Sequence, residues 1–363
     1  MFLEKEGKLI YSYDGETVCI EAWGKDALRV RATKNRSFTG RDWALEAKDA
    51  HAGEVEIFED PSAKGGAFAN MYEGTDTSYG KITNGKLHAV IDSGSVITFY
   101  HEDGRVLLKE HFRRLRDEES MPLNIMGREY SNGVGDNFRI VARFVARKGE
   151  KIFGMGQYQQ HELDLKGCML ELAQRNSQVS VPFYLSSIGY GFLWNNPGVG
   201  QVMFANNGTE WVTESGKEID YLVIAGDTPA EIEENYMTLT GKPPMMPEYG
   251  MGFWQCKLRY WNQEQLLSVA RKYKELGVPL DVIVVDFFHW TKQGEFKFDP
   301  KYWPDVPGMC RELKEMGIQV VVSVWPTVDI YSENFEEMKE KGYLVRTEHG
   351  VPLTMLCGGN EVF

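Results

Sequence analysis

The chain contains 363 residues, and its 40 Lys and Arg against 53 Asp and Glu give a formal net charge of −13 at pH 7. This charge argues against nucleic acid or an anionic membrane as the main partner, whereas a neutral ligand such as a sugar is compatible with it. Apolar residues (42%) and aromatic residues (12%) are frequent enough to build real cores, which excludes a disordered protein.

The N-terminus and the cysteines indicate the compartment. Residues 1–7 carry charges too early for a secretory signal, and no apolar segment is long enough to cross a bilayer. The five cysteines are scattered and form no CxxC pair, so neither a disulfide framework nor a zinc site is predicted. We therefore expect a cytoplasmic protein without a metal ion or an organic cofactor.

Strand signals dominate residues 1–225. Short β-branched or alternating runs are separated by turn sequences, such as Gly24-Lys25-Asp26 between the first two of them. The predicted strands cover residues 17–23, 27–32, 87–91, 96–101, 106–108, 181–186, 191–195 and 221–224. Their spacing predicts an antiparallel β-sandwich.

A helix and a linker are predicted over residues 226–248. Thr228 is a suitable N-cap, Pro229 occupies the first helical position, and Glu231 completes a capping box. The Gly- and Pro-rich stretch 241–247 then breaks the chain and marks a domain boundary.

Strands and helices alternate from residue 249 onwards. Asn262 with Gln265 predicts one helix start, and Ser332 predicts another for a helix that ends at Gly342. The remaining predicted elements are strands over 250–255, 280–286 and 318–325 and a helix over 308–316. This order requires parallel strands with right-handed crossovers. A complete (β/α)8 barrel needs about 250 residues, so residues 249–363 would form only its first three βα units, a truncated barrel. A six-stranded open sheet, the alternative, would also need more strands than remain.

Asp286 is the leading candidate for a functional residue. It ends a continuous apolar run, and the carboxyl ends of barrel strands build the active site. A carboxylate there is able to accept hydrogen bonds from two sugar hydroxyls, while a helix N-cap or a loop salt bridge is the structural alternative. Asp281, at the opposite end of the same strand, is expected to be structural.

Aromatic residues accompany the predicted strand ends. Phe287 and Phe288 follow Asp286, and Trp325 ends the third strand, where it forms either a wall of a sugar site or part of the core. Trp254 and Lys257 lie at the end of the first strand. The sequence supports equally a position on the rim of the same site and a purely structural role for them.

A set of motifs, taken in order, resembles glycoside hydrolase family 31, the α-glucosidase and α-xylosidase family. They span nearly all of the chain and are specific jointly. They are Phe153-Gly-Met-Gly156, Val181-Pro-Phe-Tyr184, Gly189-Tyr-Gly-Phe-Leu-Trp194, Pro247-Glu-Tyr-Gly-Met-Gly-Phe-Trp254, 278–286 (VPLDVIVVD), Phe296-Lys-Phe-Asp-Pro300, Tyr302-Trp-Pro304 and Val324-Trp-Pro326.

The resemblance implies a galactose mutarotase-like β-sandwich followed by a (β/α)8 barrel, and exo-cleavage of α-linked xylose or glucose from oligosaccharides with retention of configuration. In that mechanism two carboxyl groups lie about 5–5.5 Å apart. The family's two catalytic aspartates correspond to positions beyond Phe363, so no catalytic residue is expected in this chain. By the same comparison Asp286 binds sugar hydroxyls, and Phe287, Phe288 and Trp325 shape the walls.

One departure from the family pattern concerns the sandwich. Residues 170–176 differ from the Trp-Asn-x-Asp of many members, so Arg175 or Asn176 takes the place of an aspartate that reaches the sugar.

Phe287 and Phe288 crowd the position of the glucose C6 group, which favours xylose. An α-glucosidase of the same family and a non-catalytic carbohydrate-binding protein or inactive fragment are the alternatives, and a homo-oligomer is an open possibility.

Overall fold

The computed structural model describes residues 1–46, 49–60, 77–111, 113–115, 123–347, 350–355 and 361–362. The chain divides into two compact units, Met1–Pro243 and Pro244–Phe363. Cys357, where the predicted βα pattern stops, lies outside the described ranges.

The first unit consists mainly of strands. In chain order they are β1 (Phe2–Lys5), β2 (Lys8–Tyr13), β3 (Glu16–Trp23), β4 (Ala27–Thr33), β5 (Ala50–His51), β6 (Glu54–Phe58), β7 (Tyr79–Asn84), β8 (Leu87–Asp92), β9 (Ile97–His101), β10 (Val106–Lys109), β11 (Arg113–Leu115), β12 (Leu123–Ile125), β13 (Arg128–Asn132), β14 (Phe138–Phe144), β15 (Ile152–Gln157), β16 (Met169–Leu172), β17 (Val179–Ser186), β18 (Tyr190–Trp194), β19 (Gly200–Ala205), β20 (Gly208–Gly216) and β21 (Ile219–Ala225). The predicted strands match β3, β4, β8, β9, β10, β17, β18 and β21 to within two residues.

These strands form antiparallel sheets. The largest has the order β1-β2-β3-β4-β21-β18-β17-β15, with β5 paired to β3. The order of a second sheet is β10-β9-β8-β7-β6, that of a third is β13-β14-β20-β19-β16, and β11 pairs with β12. Aromatic rings from different sheets meet in one continuous core, as where Phe192 of β18 stacks on Trp211 of β20 at 5.1 Å between ring centroids. The prediction of an antiparallel sandwich is confirmed.

The Gly-Met-Gly motif forms a bulge in β15. The pairing with β17 shifts register between Gly154 and Gly156, whose φ angles are 116° and 90°. A Cβ atom on Gly156 would lie 2.2 Å from the carbonyl oxygen of Val179, so only glycine fits there. The motif is therefore a structural feature of the sandwich.

A helix, α1 (Pro229–Thr240), closes the first unit. The hydroxyl of Thr228 accepts a hydrogen bond from the Glu231 amide at 3.2 Å, as the predicted N-cap requires. The Glu231 carboxylate accepts from the amide of Asp227 at 3.0 Å, one residue before the N-cap. Glu231 also pairs with Lys86, which ties the helix to the turn after β7.

The second unit contains alternating strands and helices. They are β22 (Trp254–Gln255), α2 (Gln263–Glu275), β23 (Val282–Val285), α3 (Val306–Glu315), β24 (Gln319–Val322), β25 (Val328–Asp329), α4 (Phe335–Glu340), β26 (Thr354–Met355) and β27 (Glu361–Val362). β22, β23 and β24 form a parallel sheet, whereas β25, β27 and β26 form a small antiparallel one. The parallel sheet confirms the prediction of the first part of a barrel.

All three predicted barrel strands are shorter than expected, and the second covers only Val282–Val285. Residues 248–251 form a 3-10 turn, so the first strand is reduced to Trp254–Gln255. The third strand ends at Val322, which pairs with Val285, the last residue of the neighbouring strand β23. Beyond this pair, the Ser323 amide still donates a hydrogen bond to the Val285 carbonyl. Trp325 therefore lies three residues beyond the strand that it was predicted to end.

The helix starts were predicted with mixed success. Asn262 caps α2 by accepting from the Gln265 amide at 2.9 Å, as predicted. Asp305 caps α3, which begins two residues earlier than expected. The prediction that Ser332 caps α4 is wrong, because the N-cap position is Asn334 and no side chain accepts a capping hydrogen bond there.

Candidate functional site

The three parallel strands place their carboxyl ends at one edge of the sheet. Gln255 pairs with Ile283, and Val285 pairs with Val322, so the segments that follow β22, β23 and β24 leave the sheet on the same side. In a barrel this is the side that builds the active site. The loops that begin at residues 256, 286 and 323 are therefore the ones able to form a common site.

Asp286 is half-buried directly after β23. One carboxylate oxygen accepts a hydrogen bond from the Phe287 amide at 2.8 Å, and the other lies 3.8 Å from the thiol sulfur of Cys256. No salt bridge to a residue in the described ranges holds this carboxylate, and it caps no helix. Its second oxygen has acceptor capacity left for a ligand hydroxyl.

Cys256 is a neighbour of Asp286 that the sequence did not single out. Burial, together with the negative charge of Asp286, raises the pKa of this thiol. The group is therefore a neutral S–H, and its sulfur lies 3.8 Å from both the Asp286 carboxylate and the Lys257 carbonyl oxygen, the two acceptors open to this weak donor.

Aromatic rings surround the segment after Asp286. The rings of Phe287 and Phe288 lie 4.8 Å apart, and Trp325 lies 5.4 Å from the first and 5.9 Å from the second. Trp290 extends this group at 6.0 Å from Phe288. We call Phe287, Phe288, Trp290 and Trp325 the aromatic cluster. It joins two strand ends, as expected if both contribute to one pocket.

Phe288 has an unusual backbone conformation. Its φ is 59°, in the left-handed region that bulky residues rarely adopt, and its side chain is 48% exposed. Arg259 holds it from the neighbouring loop, since a guanidinium N–H donates to the Phe288 carbonyl at 3.3 Å. The same guanidinium lies 5.2 Å from the Phe288 ring and 3.9 Å from that of Trp261. The loop after β22 thus fixes the position of the ring after β23.

His289 lies beneath this loop. It is buried, and its Nδ1 atom is 3.1 Å from the Asp286 carbonyl oxygen. Burial lowers the pKa of His289, and the hydrogen bond and charge of Asp286 oppose that shift only in part. The imidazole is therefore neutral at neutral pH and supports the loop through its hydrogen bond and its ring contact with Phe298 at 4.7 Å.

A cavity of about 280 Å³ adjoins the aromatic cluster. Trp290 and Trp325 form part of its wall, and Gln293 supplies an amide that also bonds the hydroxyl of Thr327 at 2.6 Å. The mix of aromatic faces and one amide is typical of a small-molecule pocket. Nothing in the sequence pointed to Gln293, because its loop lacks a regular pattern.

The other predicted site residues lie in varied positions. Trp254 is 44% exposed, and its indole N–H donates to the Gly250 carbonyl at 3.2 Å, toward the residues that precede β22. Lys257 is exposed in the loop after β22. Arg175 belongs to the first unit, where it pairs with Glu171 and forms a bridge with Gln178. The part of each of these residues in substrate binding stays a prediction.

Asp329 does not resemble a catalytic partner of Asp286. Its carboxylate accepts from the Tyr331 amide at 2.8 Å, and its backbone amide donates to the Gln293 carbonyl at 3.0 Å. The side chain stabilises its own turn.

Within the described ranges no group of three His, Cys, Asp or Glu side chains is arranged to hold a metal ion. The helices in those ranges are all too short or too polar to span a bilayer.

Two family models match the chain. The model of the glycosyl hydrolase 31 N-terminal galactose mutarotase-like domain covers residues 17–202. The model of the glycosyl hydrolases family 31 TIM-barrel domain covers residues 243–361.

Individual proteins are similar over large parts of the chain. An uncharacterized family 31 glucosidase from Pseudescherichia vulneris is 42% identical over 99% of this chain. An alpha-xylosidase from Saccharolobus solfataricus is 36% identical over 57% of it. The crystal structure of a GH31 alpha-xylosidase from a soil metagenome, complexed with xylose, superposes over 100% of this chain with a TM-score of 0.87 and 46% identity.

These relatives are longer than the chain. It spans 67% of the Pseudescherichia protein, 30% of the Saccharolobus protein and 52% of the soil-metagenome enzyme.

Proposed function

The chain belongs to glycoside hydrolase family 31, and we propose that the protein that carries it is a retaining, exo-acting α-xylosidase. Its substrates are oligosaccharides with a terminal α-linked xylose. The observation that carries this proposal is the strand-end carboxylate Asp286 with the aromatic cluster beside it.

Each part of this site matches one property of a pyranose. The open oxygen of Asp286 accepts hydrogen bonds from ring hydroxyls, and the faces of Phe287 and Trp325 suit the C–H surface of the sugar. In this proposal Asp286 binds and orients the sugar, while the catalytic pair of aspartates lies outside residues 1–363. Arg175, Trp254 and Lys257 are the additional residues proposed to contact substrate.

Xylose is preferred to glucose in this proposal because of Phe288. Its ring is fixed by Arg259 beside Phe287, in the space that a C6 hydroxymethyl group would need. Relatives named alpha-xylosidase include the Saccharolobus protein, whereas an alpha-glucosidase from Bacillus thermoamyloliquefaciens is 35% identical over 31% of the chain. An α-glucosidase is therefore the second candidate. One CH2OH group changes specificity by only about 1–3 kcal/mol.

The substrate preference is tested by comparing kcat/KM for nitrophenyl α-xyloside and α-glucoside with the whole protein. We expect a preference for the xyloside of about tenfold or more, because the glucoside must displace the Phe288 ring. NMR of the first sugar released should show the α-anomer, as retention requires. A preference for the glucoside contradicts the choice of xylose, and absence of any hydrolysis supports a non-catalytic carbohydrate-binding protein instead.

The role of Asp286 is tested by Asp286→Asn. Loss of the charge should raise KM and lower kcat on the α-xyloside, and azide should not rescue the activity because Asp286 is not the nucleophile. Asp281→Asn is the matched control. Asp281 lies at the other end of the same strand, where its carboxylate accepts from the Phe253 amide at 2.9 Å. Equal losses in both variants, or rescue of Asp286→Asn by azide, would mean that the assignment is wrong.

A further inference from the structure

A second and larger cavity lies in the first unit. This cleft, of about 920 Å³, is bordered by the loop of residues 35–43 after β4, by the turn before β19 and by the end of β20. We call it the sandwich cleft. Its lining includes both aromatic rings and hydrogen-bonding side chains.

The most conspicuous residue of the sandwich cleft is Trp43. Its side chain is 46% exposed, and its φ of 52° lies in the left-handed region, which is uncommon for a bulky residue. The guanidinium of Arg41 lies 5.4 Å from the centroid of its ring. Phe38, half-buried, lines the same cleft. An exposed indole at the mouth of a cleft offers a flat apolar face to a ligand.

Buried side chains hold the Trp43 backbone on both sides. The guanidinium of Arg29, fully buried, donates to the Arg41 carbonyl at 2.9 Å and to the Asp42 carboxylate at 2.7 Å. Buried Asn195 donates to the Asp42 carbonyl at 3.1 Å and accepts from the Ala44 amide at 3.3 Å. A loop fixed in this way loses little conformational entropy on binding a ligand.

The rest of the loop is fixed as well. The carboxylate of Glu218, 3% exposed, accepts from the Thr39 amide at 2.8 Å and from its hydroxyl at 2.9 Å. Asn35 donates to the Asp136 carbonyl at 2.9 Å. Both walls of the sandwich cleft are therefore joined by hydrogen bonds and preformed.

The polar groups that remain are mostly donors, hydroxyls and one amide. Both oxygens of Glu218 accept hydrogen bonds from Thr39, and one oxygen of Asp136 is paired with Lys217 at 2.7 Å. Arg36 and Arg41 have no carboxylate partner among the described residues, although the chain carries a net charge of −13. The side chains of Ser37, Asn137 and Ser215 likewise make no hydrogen bond within the described ranges.

We propose that the sandwich cleft is an accessory oligosaccharide-binding site, with Trp43 as the stacking platform. The guanidinium and amide donors bind the hydroxyl oxygens, or a carboxylate, of the same saccharide. A saccharide suits the cleft because it combines C–H faces with many hydrogen-bonding oxygens. The proposal concerns the first unit alone and does not depend on catalytic activity.

The test measures saccharide binding by isothermal titration calorimetry with the whole protein carrying Asp286→Asn, which weakens binding in the barrel. The probes are neutral xylo- and gluco-oligosaccharides of three to seven residues and a glucuronic acid-bearing oligosaccharide. We expect binding by at least one probe and a loss of about tenfold or more on adding Trp43→Ala. Phe58→Ala is the matched control, because Phe58 lies in the same unit and is also 46% exposed. This control should leave the affinity unchanged.

A second variant covers the case that Trp43→Ala fails to fold. Asn137→Ala removes one uncommitted amide from the opposite wall and should weaken binding severalfold without changing the melting temperature. Tighter binding of the glucuronic acid probe would indicate that Arg36 and Arg41 bind its carboxylate. Equally tight binding of the neutral probes would indicate that stacking on Trp43 supplies most of the affinity. No binding by any probe, or equal losses in the Trp43 and Phe58 variants, would overturn the proposal. Absence of α-xyloside hydrolysis by the whole protein without substitutions would instead count against the proposed enzymatic function.

Discussion

The two units differ in where their ion pairs lie. The first unit has exposed pairs, such as Lys217 with Asp136, but others lie inside the sandwich: Arg29 and Asp220 are both fully buried, and Arg128 pairs with buried Glu110. In the second unit, pairs such as Arg271 with Glu312 lie on helix surfaces. The carboxylate of greatest interest there, Asp286, is half-buried at a strand end without a cationic partner in the described ranges.

The buried ion pairs belong to the structural framework of the first unit, whereas Asp286 belongs to the candidate site of the second. Buried ion pairs add little net stability but are very unfavourable to break, so they fix one arrangement of the loops around them. A carboxylate with an open oxygen at a strand end has no such partner and is available to a ligand. The first unit thus holds its geometry in part through buried ion pairs, whereas the second leaves the Asp286 carboxylate open to a ligand.

Arg29→Met should have the largest effect of the predicted substitutions, because it leaves Asp220 buried without its cation. Burial raises the pKa of Asp220 to about 6 even though Arg29 opposes the shift. We expect a loss of about 3–5 kcal/mol in the free energy of unfolding of the first unit, measured by chemical denaturation with tryptophan fluorescence. Arg271→Met, on the exposed pair of the second unit, should cost about 0–1 kcal/mol. Similar losses in both variants would remove the contrast between the units.

Arg259→Met tests how the second unit holds the loop that follows Asp286. This arginine is held by a carbonyl and two rings, so its loss should free Phe288 to leave its left-handed conformation. We expect kcat/KM for the α-xyloside to fall about tenfold and the ratio of xyloside to glucoside rates to decrease. Arg271→Met is again the control and should change neither. An unchanged ratio would show that Arg259 does not hold the Phe288 ring in a position that distinguishes xylose from glucose.

His289 should give the smallest effect, visible only as a pH dependence. Its pKa is lowered in the folded state by burial, below a value of about 6.5 for the unfolded chain, so the unfolded chain binds the proton more tightly. The contribution of neutral His289 to the free energy of unfolding of the second unit is therefore complete above a pH of about 6.5 and decreases as the pH falls below that value. Thermal melting between pH 7.5 and 5.0 should show a smaller decline in His289→Gln than in the wild type. Identical profiles would mean that His289 does not contribute.

The sandwich was predictable where the sequence combined alternation with clear turns, as in β3 and β4. The missed strands, among them Lys8–Tyr13 and Gly208–Gly216, carry charged or small residues that weaken the apolar alternation. Lys8–Tyr13 pairs with its sequence neighbours β1 and β3, whereas Gly208–Gly216 also pairs with β14, which is distant in sequence, and no local pattern encodes that pairing.

In the second unit the order of elements was predictable, but their ends were not. Residues 318–325 continue after Ser323 with apolar Val324 and Trp325, so the sequence does not clearly mark Val322 as the end of a strand. That end is set by β23, which stops at Val285. The position of Asp286 followed from the buried run before it, whereas its contact with Cys256 and the fixing of Phe288 by Arg259 depend on how two loops meet.

The bulge in β15 has a consequence for sequence variation. Since a methyl group at residue 156 would overlap the backbone of the adjacent strand, a saturation library over residues 153–157 should return glycine alone at that position. The neighbouring Gln157 is exposed and should accept many residues. One motif of the family resemblance is thereby explained by the close approach of two backbone segments.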